Sequence, residues 1–266
     1  MFLDLVRNAA FYSMAALYCW CAFIPLMLLL YIPHSWPFVK TLYCWILKIS
    51  SKFLLFSTFL SVTYQGFDRL PQGPVVFIAN HQSVLDIFLV ENVVGSYPCF
   101  WVTKSDLLDY PILKQIAFRS FIPVPLKTSS EVQQESVVAL AIAKIKLGYS
   151  VVLFPEGGRF VDGSIHTFYS GFAAIAKETG VPVVPLFISG TGFALPSKAR
   201  MIRRSPVMIT IGTSFVCEKE ESVISFKNRV FNWFVELNWR REYLLDHFGI
   251  RLCKNTYEIP ALEENT

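Results

Sequence analysis

The stretch Val75-Val76-Phe77-Ile78-Ala79-Asn80-His81-Gln82-Ser83-Val84-Leu85-Asp86 decides how the rest of this chain is interpreted. Its first five residues are apolar and predict a short, buried strand. Three polar residues follow, and the remainder is typical of a helix start, with Ser83 as a candidate cap and Asp86 in the first turn. The pattern therefore places His81 where a strand ends and Asp86 at a helix N-terminus.

A histidine and a carboxylate in this arrangement are a candidate general base and its orienting group. Neutral imidazole near pH 7 can take a proton from a hydroxyl. A carboxylate on the other ring nitrogen fixes the tautomer and stabilises the imidazolium that forms. Asp86 follows His81 by five positions, so the loop between strand and helix must fold the two together. The alternative is that Asp86 complements the helix dipole and His81 is a hydrogen-bonded turn residue.

A second candidate site follows another apolar run. Residues 151–154 predict a buried strand, and Pro155-Glu156-Gly157-Gly158-Arg159 predicts a turn directly after it. The glycines permit positive φ and the close approach of a ligand to backbone N–H groups. The Arg159 guanidinium is a planar fork suited to phosphate. A tight surface turn with a solvated arginine is the alternative.

Two further stretches carry weaker signals. Val181-Pro182-Val183-Val184-Pro185 predicts the entry of a strand, and Phe118 to Lys127 brings Arg119 and Lys127 close enough in sequence to hold an anion. Exposed basic residues are common, and a solvated role for these two is the simpler interpretation. The sequence contains no Gly-x-Ser-x-Gly elbow and no Walker loop, which disfavours a serine hydrolase and an NTPase.

Apolar residues are concentrated at the N-terminus of the chain. They make up 53% of the 266 residues, the mean hydropathy is +0.45, and charged residues are only 17%. Because the excess falls in the first 65 residues, we expect a membrane segment joined to a globular domain. The net charge of +4 suits an anionic membrane surface or anionic substrates and is too small to indicate nucleic acid.

Two apolar stretches make up this segment. The first, Ala9 to Ile32, is uncharged and long enough to cross a bilayer as a helix. The second, Thr41 to Tyr64, carries Lys48 and Lys52 on one helical face and predicts a helix lying in the interface. A hairpin embedded in one leaflet and a single span with a surface helix both fit. A signal peptide is disfavoured because the apolar run is too long and lacks a cleavage site.

The six cysteines show no CxxC pair and no spacing typical of zinc ligands. We therefore expect no metal site, and reduced, structural thiols in a protein that faces the cytosol. The expected location is a membrane, the cell inner membrane or its equivalent, with the catalytic domain on the cytoplasmic side. The sequence predicts no particular oligomeric state.

From Gly66 onward, short apolar runs alternate with amphipathic ones, which predicts an α/β fold with a mostly parallel sheet covered by helices. Candidate strands cover Val75 to Ala79, Phe100 to Thr103, Phe121 to Pro125, Val151 to Phe154, Val183 to Ile188 and Val207 to Ile211. Candidate helices cover Ser83 to Val94, Tyr110 to Ala117, Ser130 to Leu147 and Gly171 to Thr179.

Apolar residues at helical spacing between Glu221 and Leu245 predict a C-terminal amphipathic helix docked on the domain. Leu252 to Thr266 shows no pattern and is expected to be a loose tail. The predicted organisation is a membrane-embedded hairpin at 1–65, an α/β domain at 66–215 and a C-terminal helix with tail at 216–266.

Three of these stretches resemble blocks of the glycerolipid acyltransferase family. They are Asn80-His81 followed by four residues and Asp86, Phe154-Pro155-Glu156-Gly157-Gly158-Arg159, and Val181-Pro182-Val183-Val184-Pro185. They follow in the family's order, and the similarity covers about residues 66–215. Lys104 after a strand and Ser170-Gly171 before a helix are softer matches. The nearest subgroup is the bacterial-type 1-acylglycerol-3-phosphate acyltransferases.

The resemblance implies transfer of a fatty acyl group from acyl-CoA or acyl carrier protein to a lysophospholipid, with no cofactor. It implies that His81 is the general base and that Asp86 orients it. Binding of the acceptor and its phosphate falls to Glu156, Gly157, Gly158 and Arg159, with Lys104, Arg119 and Lys127 as further candidates. An N-terminal helical hairpin is also a habit of the family.

The chain departs from the family pattern at two blocks. Gly158 stands where the family usually has threonine, and Phe160 where it often has serine. Phe118 and Val124 stand where the family usually has glycine and arginine. These departures keep a different acceptor open, for example a lyso-aminolipid. A non-catalytic membrane-remodelling protein, and a thioesterase or lipase that uses the same histidine on water, are the remaining alternatives.

Overall fold

The computed structural model describes residues 2–30, 32, 37–104, 120–124 and 131–248. Two N-terminal helices precede an alternation of strands and helices. The elements are α1 (Phe2–Leu30), α2 (Pro37–Ser57), β1 (Val62–Gln65), β2 (Val76–Ala79), α3 (Leu85–Val94), β3 (Cys99–Lys104), β4 (Phe121–Val124), α4 (Glu131–Lys146), β5 (Ser150–Leu153), α5 (Gly171–Thr179), β6 (Val183–Ser189), α6 (Thr191–Ala194), β7 (Val207–Ile211) and α7 (Val223–Phe248).

The described strands form one seven-stranded sheet in the order β1-β7-β6-β2-β5-β3-β4. Neighbouring strands pair in parallel, except that β6 and β7 are antiparallel. The predicted α/β fold with a mostly parallel sheet is therefore confirmed. A parallel sheet requires cover on both faces, which explains why the central strand β2 is apolar at every position instead of alternating.

Side chains of β2 enter a different core on each face of the sheet. Val75, Phe77 and Ala79 pack in the core that contains α3. Val76 and Ile78 pack in the core that contains α4, α5 and α7. All five side chains are fully buried. The predicted docking of the C-terminal helix is confirmed, and the buried side chains of α7 in that core are Phe226, Val230 and Phe234.

The order of the strands places a crevice at the carboxyl ends of β2 and β5. From β2 the chain crosses through α3 to β3 on one side, whereas from β5 it crosses through α5 to β6 on the other side. Adjacent parallel strands whose connections leave in opposite directions open such a crevice, and ligands of open α/β sheets bind there. The two stretches predicted to carry chemistry follow these two strands.

Most predicted boundaries lie within two residues of the observed ones, and two predictions are wrong. Tyr64 does not end a helix, because α2 stops at Ser57 and Val62–Gln65 form edge strand β1, paired with β7. The residues Val62 to Gln65 continue the apolar stretch of α2 without a break in composition, so the sequence pattern does not separate the strand from the helix. A domain boundary at residue 65 would separate β1 from its sheet. Ser83 is also not the cap of α3, whose N-cap is Val84.

The N-terminal helices pack on each other and on the domain. The Tyr18 ring stacks on Phe53 at 4.5 Å between centroids, and its hydroxyl lies 2.9 Å from the Ser50 hydroxyl. In α2, the Tyr43 hydroxyl accepts a hydrogen bond of 2.9 Å from Ser120. Contrary to the expectation for Ala9 to Ile32, none of the helices in the described residues is long and apolar enough to cross a membrane.

Candidate active site

His81 and Asp86 meet in the loop between β2 and α3. The Nδ1 atom of His81 lies 2.8 Å from Oδ2 of Asp86. The same oxygen accepts the backbone N–H groups of Gln82 at 2.6 Å and Ser83 at 2.8 Å. Asp86 is completely buried and His81 is 8% exposed. The loop brings together two groups whose spacing of five residues exceeds one helical turn, as expected, and the contact leaves Nε2 as the outward nitrogen.

Polar side chains on either side of His81 hold this loop against the sheet. The side chain of Asn80 donates to the backbone carbonyl of Ile188 at 2.9 Å and accepts from its N–H at 2.7 Å. The Ser83 hydroxyl donates to the carbonyl of Leu195 at 2.7 Å. Because Ile188 lies in the neighbouring strand β6, the position of His81 is set by tertiary contacts as well as by the local turn.

Glu156 lies beneath His81 and faces the protein interior. Its Oε1 accepts the backbone N–H of His81 at 3.0 Å, and its carboxylate also accepts the backbone N–H of His166. Burial raises the pKa of Glu156 to about 7, against the lowering effect of these two donors, and the charge of Asp86 adds to the rise. The carboxyl predicted to bind the acceptor therefore joins the loop after β2 to the turn after β5.

Arg159, the Phe154 ring and the backbone of Phe160 contact His81. The Nε–H group of Arg159 points at Nε2 of His81 from 3.4 Å. The Phe154 ring stacks on the imidazole with centroids 3.9 Å apart and an angle of 14°. The backbone N–H of Phe160 donates to the His81 carbonyl at 2.9 Å. A fully charged guanidinium thus stands beside the free nitrogen of the histidine.

The glycine turn has the predicted conformation. Gly157 has a φ of +66°, and a Cβ atom there would lie 2.7 Å from the Tyr169 ring. The turn is closed by hydrogen bonds from the Gly157 N–H to the Phe154 carbonyl and from the Tyr169 N–H to the Pro155 carbonyl. Among the described residues, the N–H groups of Gly158 and Arg159 have no acceptor.

Of the remaining predicted residues, the structure describes only Lys104, which lies apart from this cluster. Lys104 ends β3 at the same edge of the sheet, but β5 lies between β3 and β2. Within the described residues, Lys104 makes no hydrogen bond or ion pair with the cluster. Arg119 and Lys127 lie outside the described residues, as do the predicted helix Tyr110 to Ala117 and the tail.

Sequence analysis missed a second histidine–aspartate pair near the site. Nε2 of His166 lies 2.8 Å from Oδ2 of Asp162, on the surface, and the His166 ring stacks on Phe160 with centroids 3.7 Å apart. The hydrogen bond from His166 lowers the pKa of Asp162. Asp162 and His166 are four positions apart in a loop, and outside a helix this spacing does not predict that two side chains meet. The stacking of Phe154 on His81 was also missed, although Phe154 directly precedes the turn.

Together these groups can carry out proton transfer at an anionic substrate. A buried carboxylate orients a histidine, its second nitrogen faces the crevice, and a guanidinium lies next to it. In the part of the chain that the structure describes, no group of three histidine, cysteine or acidic side chains lies close enough to hold a metal ion.

Comparisons with known proteins agree with this arrangement. Residues 61–189 match the family model described as Acyltransferase. A chloroplastic 1-acyl-sn-glycerol-3-phosphate acyltransferase of Brassica napus is 36% identical over 141 residues, which are 52% of this chain and 40% of that protein. One from Arabidopsis thaliana is 31% identical, over 60% of this chain and 45% of that protein. One from Pseudomonas aeruginosa is 27% identical, over 65% and 66%.

The aligned part thus spans less than half the length of the two plant proteins. Among solved structures, the 1-acyl-sn-glycerophosphate (LPA) acyltransferase PlsC of Thermotoga maritima has the same fold. Its TM-score is 0.76 at 22% identity, with 95% of this chain and 99% of that chain covered. The resemblance drawn from the three sequence blocks is confirmed. Residues 61–189, just under half of this chain, match the domain that the acyltransferase family model describes.

Proposed function

We propose that the protein transfers a fatty acyl group from acyl-CoA or acyl carrier protein to the free hydroxyl of 1-acylglycerol-3-phosphate, giving phosphatidic acid. The observation that carries the proposal is the contact between the Arg159 guanidinium and the free Nε2 of His81. In this acceptor, the hydroxyl and the phosphate are on neighbouring carbons of glycerol. A histidine base next to a guanidinium that can bind phosphate matches this arrangement of hydroxyl and phosphate. The names of the relatives point to the same acceptor.

In the proposed mechanism, His81 acts first as a base and then as an acid. Nε2 takes the proton of the acceptor hydroxyl while the hydroxyl oxygen attacks the thioester carbonyl carbon. The tetrahedral intermediate collapses, the carbon–sulfur bond breaks, and the imidazolium returns the proton to the leaving thiolate. Asp86 holds the proton on Nδ1, which keeps Nε2 available, and its negative charge stabilises the imidazolium.

Arg159 binds the acceptor phosphate in this mechanism and moves off Nε2 as the hydroxyl approaches. Arg159 is exposed on the rim of the crevice, so a shift of its side chain breaks only the 3.4 Å contact with the histidine. The unpaired N–H groups of Gly158 and Arg159 are candidates for stabilising the oxyanion of the intermediate. They stand in a turn whose conformation is set by Gly157 before any substrate arrives.

The test is a lysolipid panel with one acyl-CoA and the purified full chain. We expect acylation of 1-acylglycerol-3-phosphate to exceed that of lysolipids lacking a phosphate monoester. Acylation of a lyso-aminolipid alone would replace the proposed acceptor, and release of CoA without any acceptor would indicate a thioesterase.

The His81→Ala variant identifies the base. We expect turnover to fall by about 10²–10⁴, the range for loss of a general base. His166→Ala is the matched control, because it also removes an imidazole paired with an aspartate and stacked on a phenylalanine. It should leave turnover within a few-fold of the wild type. If His81→Ala is as active as His166→Ala, His81 is not the base.

We also propose that α1 and α2 hold the protein on a membrane, with the catalytic domain on the cytoplasmic side. Both helices expose large apolar side chains, and in α2 these recur every three or four positions from Phe38 to Ile49, which is the pattern of a helix lying in an interface. Trp20 is 76% exposed and Trp45 is 59% exposed. The other large members of the two stripes are Leu5, Tyr12, Leu17, Leu28, Phe38, Leu42, Ile49 and Phe56. Flotation of the full chain with lipid vesicles tests this docking.

A further inference from the structure

Residues 198–204, here called the basic segment, concentrate positive charge beside the candidate active site. The segment reads Lys198-Ala199-Arg200-Met201-Ile202-Arg203-Arg204 and contains no acidic residue. Its four cationic side chains are all exposed. Among the described residues, none of the four forms an ion pair, whereas Arg229 and Arg240 pair with glutamates. Four unpaired cations within seven residues are a feature that the acyl-transfer mechanism does not use.

Contacts with the start of α1 hold the basic segment in place. The side chain of Asn8 accepts the Ile202 N–H at 2.7 Å and donates to the Ile202 carbonyl at 3.1 Å. The Tyr12 hydroxyl donates to the Arg200 carbonyl. Lys198 has a φ of +70°, which lysine rarely adopts. The path of the segment is therefore set by tertiary contacts, and its charges point outward from a fixed backbone.

Arg7, at the start of α1, supports the basic segment from the interior and is itself paired with Asp4. It is 9% exposed and donates through Nη2 to the Ile202 carbonyl, while its Nε and Nη1 atoms are buried with no acceptor in the described residues. The Asp4 carboxylate is 3.6 Å away and half exposed. Buried guanidinium groups normally have partners for their N–H donors. Arg7 therefore holds the backbone of the segment in place, and the four exposed cations of the segment are the charges that an anion can reach.

The position of the basic segment connects it with the apolar stripe of α1 and with the catalytic loop. Leu5, Val6 and Met201 are each about half exposed or more and lie beside the charges. At its other end, the segment follows Leu195, whose carbonyl accepts the Ser83 hydroxyl. Cations adjacent to exposed apolar side chains suit the boundary between headgroups and acyl chains, where anionic lipids attract lysine and arginine.

We propose that the basic segment binds the phosphate groups of anionic phospholipids at the membrane surface. This inference rests on the proposed membrane docking and deepens it. The apolar stripes of α1 and α2 give contact with any bilayer, whereas the basic segment selects an anionic one. The segment is joined to the loop that carries His81 through Leu195. Binding of the segment to the membrane therefore turns the carboxyl edge of the sheet toward the bilayer that contains the acceptor lipid.

The test compares two variants with the same loss of charge. Arg203→Gln with Arg204→Gln removes two cations of the basic segment. Lys146→Gln with Lys219→Gln is the control, because both lysines are exposed at the opposite end of the sheet, where Lys146 ends α4 before the start of β5. Partitioning of the full chain is measured with neutral phosphatidylcholine vesicles and with vesicles that also contain phosphatidylglycerol, in the absence of acyl donor and lysolipid.

Each cation near an anionic surface contributes about five-fold in partitioning, so the arginine variant should bind anionic vesicles about 25-fold more weakly. Its binding to neutral vesicles should be unchanged, and the lysine control should resemble the wild type. Equal losses in both variants would overturn the proposal. So would equal binding of the wild type to neutral and anionic vesicles together with saturable binding of inorganic phosphate in solution, which would indicate a site for a soluble anion. Failure of the wild type to bind either vesicle would instead refute the membrane docking itself.

Discussion

Replacing Asp86 by asparagine tests the central geometry of the site with a change of a single functional group. Oδ2 of Asp86 accepts three N–H donors, from the His81 ring and from the backbone of Gln82 and Ser83, at 2.6 to 2.8 Å. Asparagine has nearly the same shape but no charge, and half of its polar end is a donor. The substitution therefore keeps the packing of a fully buried side chain and alters only its hydrogen bonds.

The expected loss of stability follows from these three bonds. Hydrogen bonds to charged groups contribute about 1.5–3 kcal/mol each and neutral ones about 0.5–1.5 kcal/mol, so each bond loses about 1 kcal/mol. Asp86→Asn should lower the free energy of unfolding by about 3 kcal/mol. Asp162→Asn is the control, since Asp162 makes a bond of the same length to His166 on the surface. An exposed pair contributes about 0–1 kcal/mol.

Asp86→Asn should also lose activity, and by more than the fraction of unfolded protein can account for. The backbone N–H groups of Gln82 and Ser83 keep the asparagine oxygen beside Nδ1 of His81. The imidazolium that forms on proton transfer then has no negative charge beside it, so kcat should fall by about 10²–10⁴. Turnover is measured with the acyl-CoA assay under conditions where urea denaturation shows the variant to be folded. If Asp86→Asn keeps kcat within ten-fold of the wild type, or destabilises no more than Asp162→Asn, the proposed role of the buried carboxylate is refuted.

Three further predictions concern the turn after β5. Burial raises the pKa of Glu156 from 4.5 to about 7. The free energy of unfolding of the wild type should therefore fall by up to ~3 kcal/mol as the pH rises from 4.5 to 7, whereas that of Glu156→Gln should not. Urea denaturation at one pH below and one pH above this range measures the difference. Arg159→Ala should raise the KM for a phosphate-bearing acceptor by about 10–100-fold, with partial recovery in Arg159→Lys. Gly157→Ala should cost ~1 kcal/mol more than Gly180→Ala, because both have positive φ but only Gly157 faces the Tyr169 ring.

The first of these predictions fails if Glu156→Gln and the wild type lose stability in parallel as the pH rises. An unchanged KM in Arg159→Ala would remove the guanidinium from phosphate binding. Equal melting of the two alanine variants would show that the Tyr169 ring moves aside without cost.

Local patterns in the sequence were sufficient for most elements and for the place of the site. Residues 75–79 and 151–154 are too apolar to lie anywhere but in a covered sheet, and a polar or glycine-rich turn follows each. The apolar positions of α7 recur at helical spacing, and Phe226, Val230 and Phe234 are buried as expected. These predictions depend only on residues within one or two turns of each other.

Other features depend on partners far away in the chain. Val62–Gln65 became a strand because β7 offers it an edge to pair with, about 145 residues later. Glu156 faces inward because its carboxyl accepts the backbone N–H groups of His81 and His166. Nothing in the turn sequence distinguishes a carboxylate that braces two loops from one that faces a ligand.

The order of residues along the chain is enough to predict an α/β protein with an apolar N-terminal segment, and to select His81, Asp86 and Arg159 as its candidate reactive residues. Hydrophobic periodicity and residue chemistry are local properties, so they can be recognised without a structure. That β2 and β5 are neighbours, and that their connections leave in opposite directions, is known from the structure alone. Strand order follows from how both faces of the sheet are covered, and it is this order that brings Arg159 to the free nitrogen of His81.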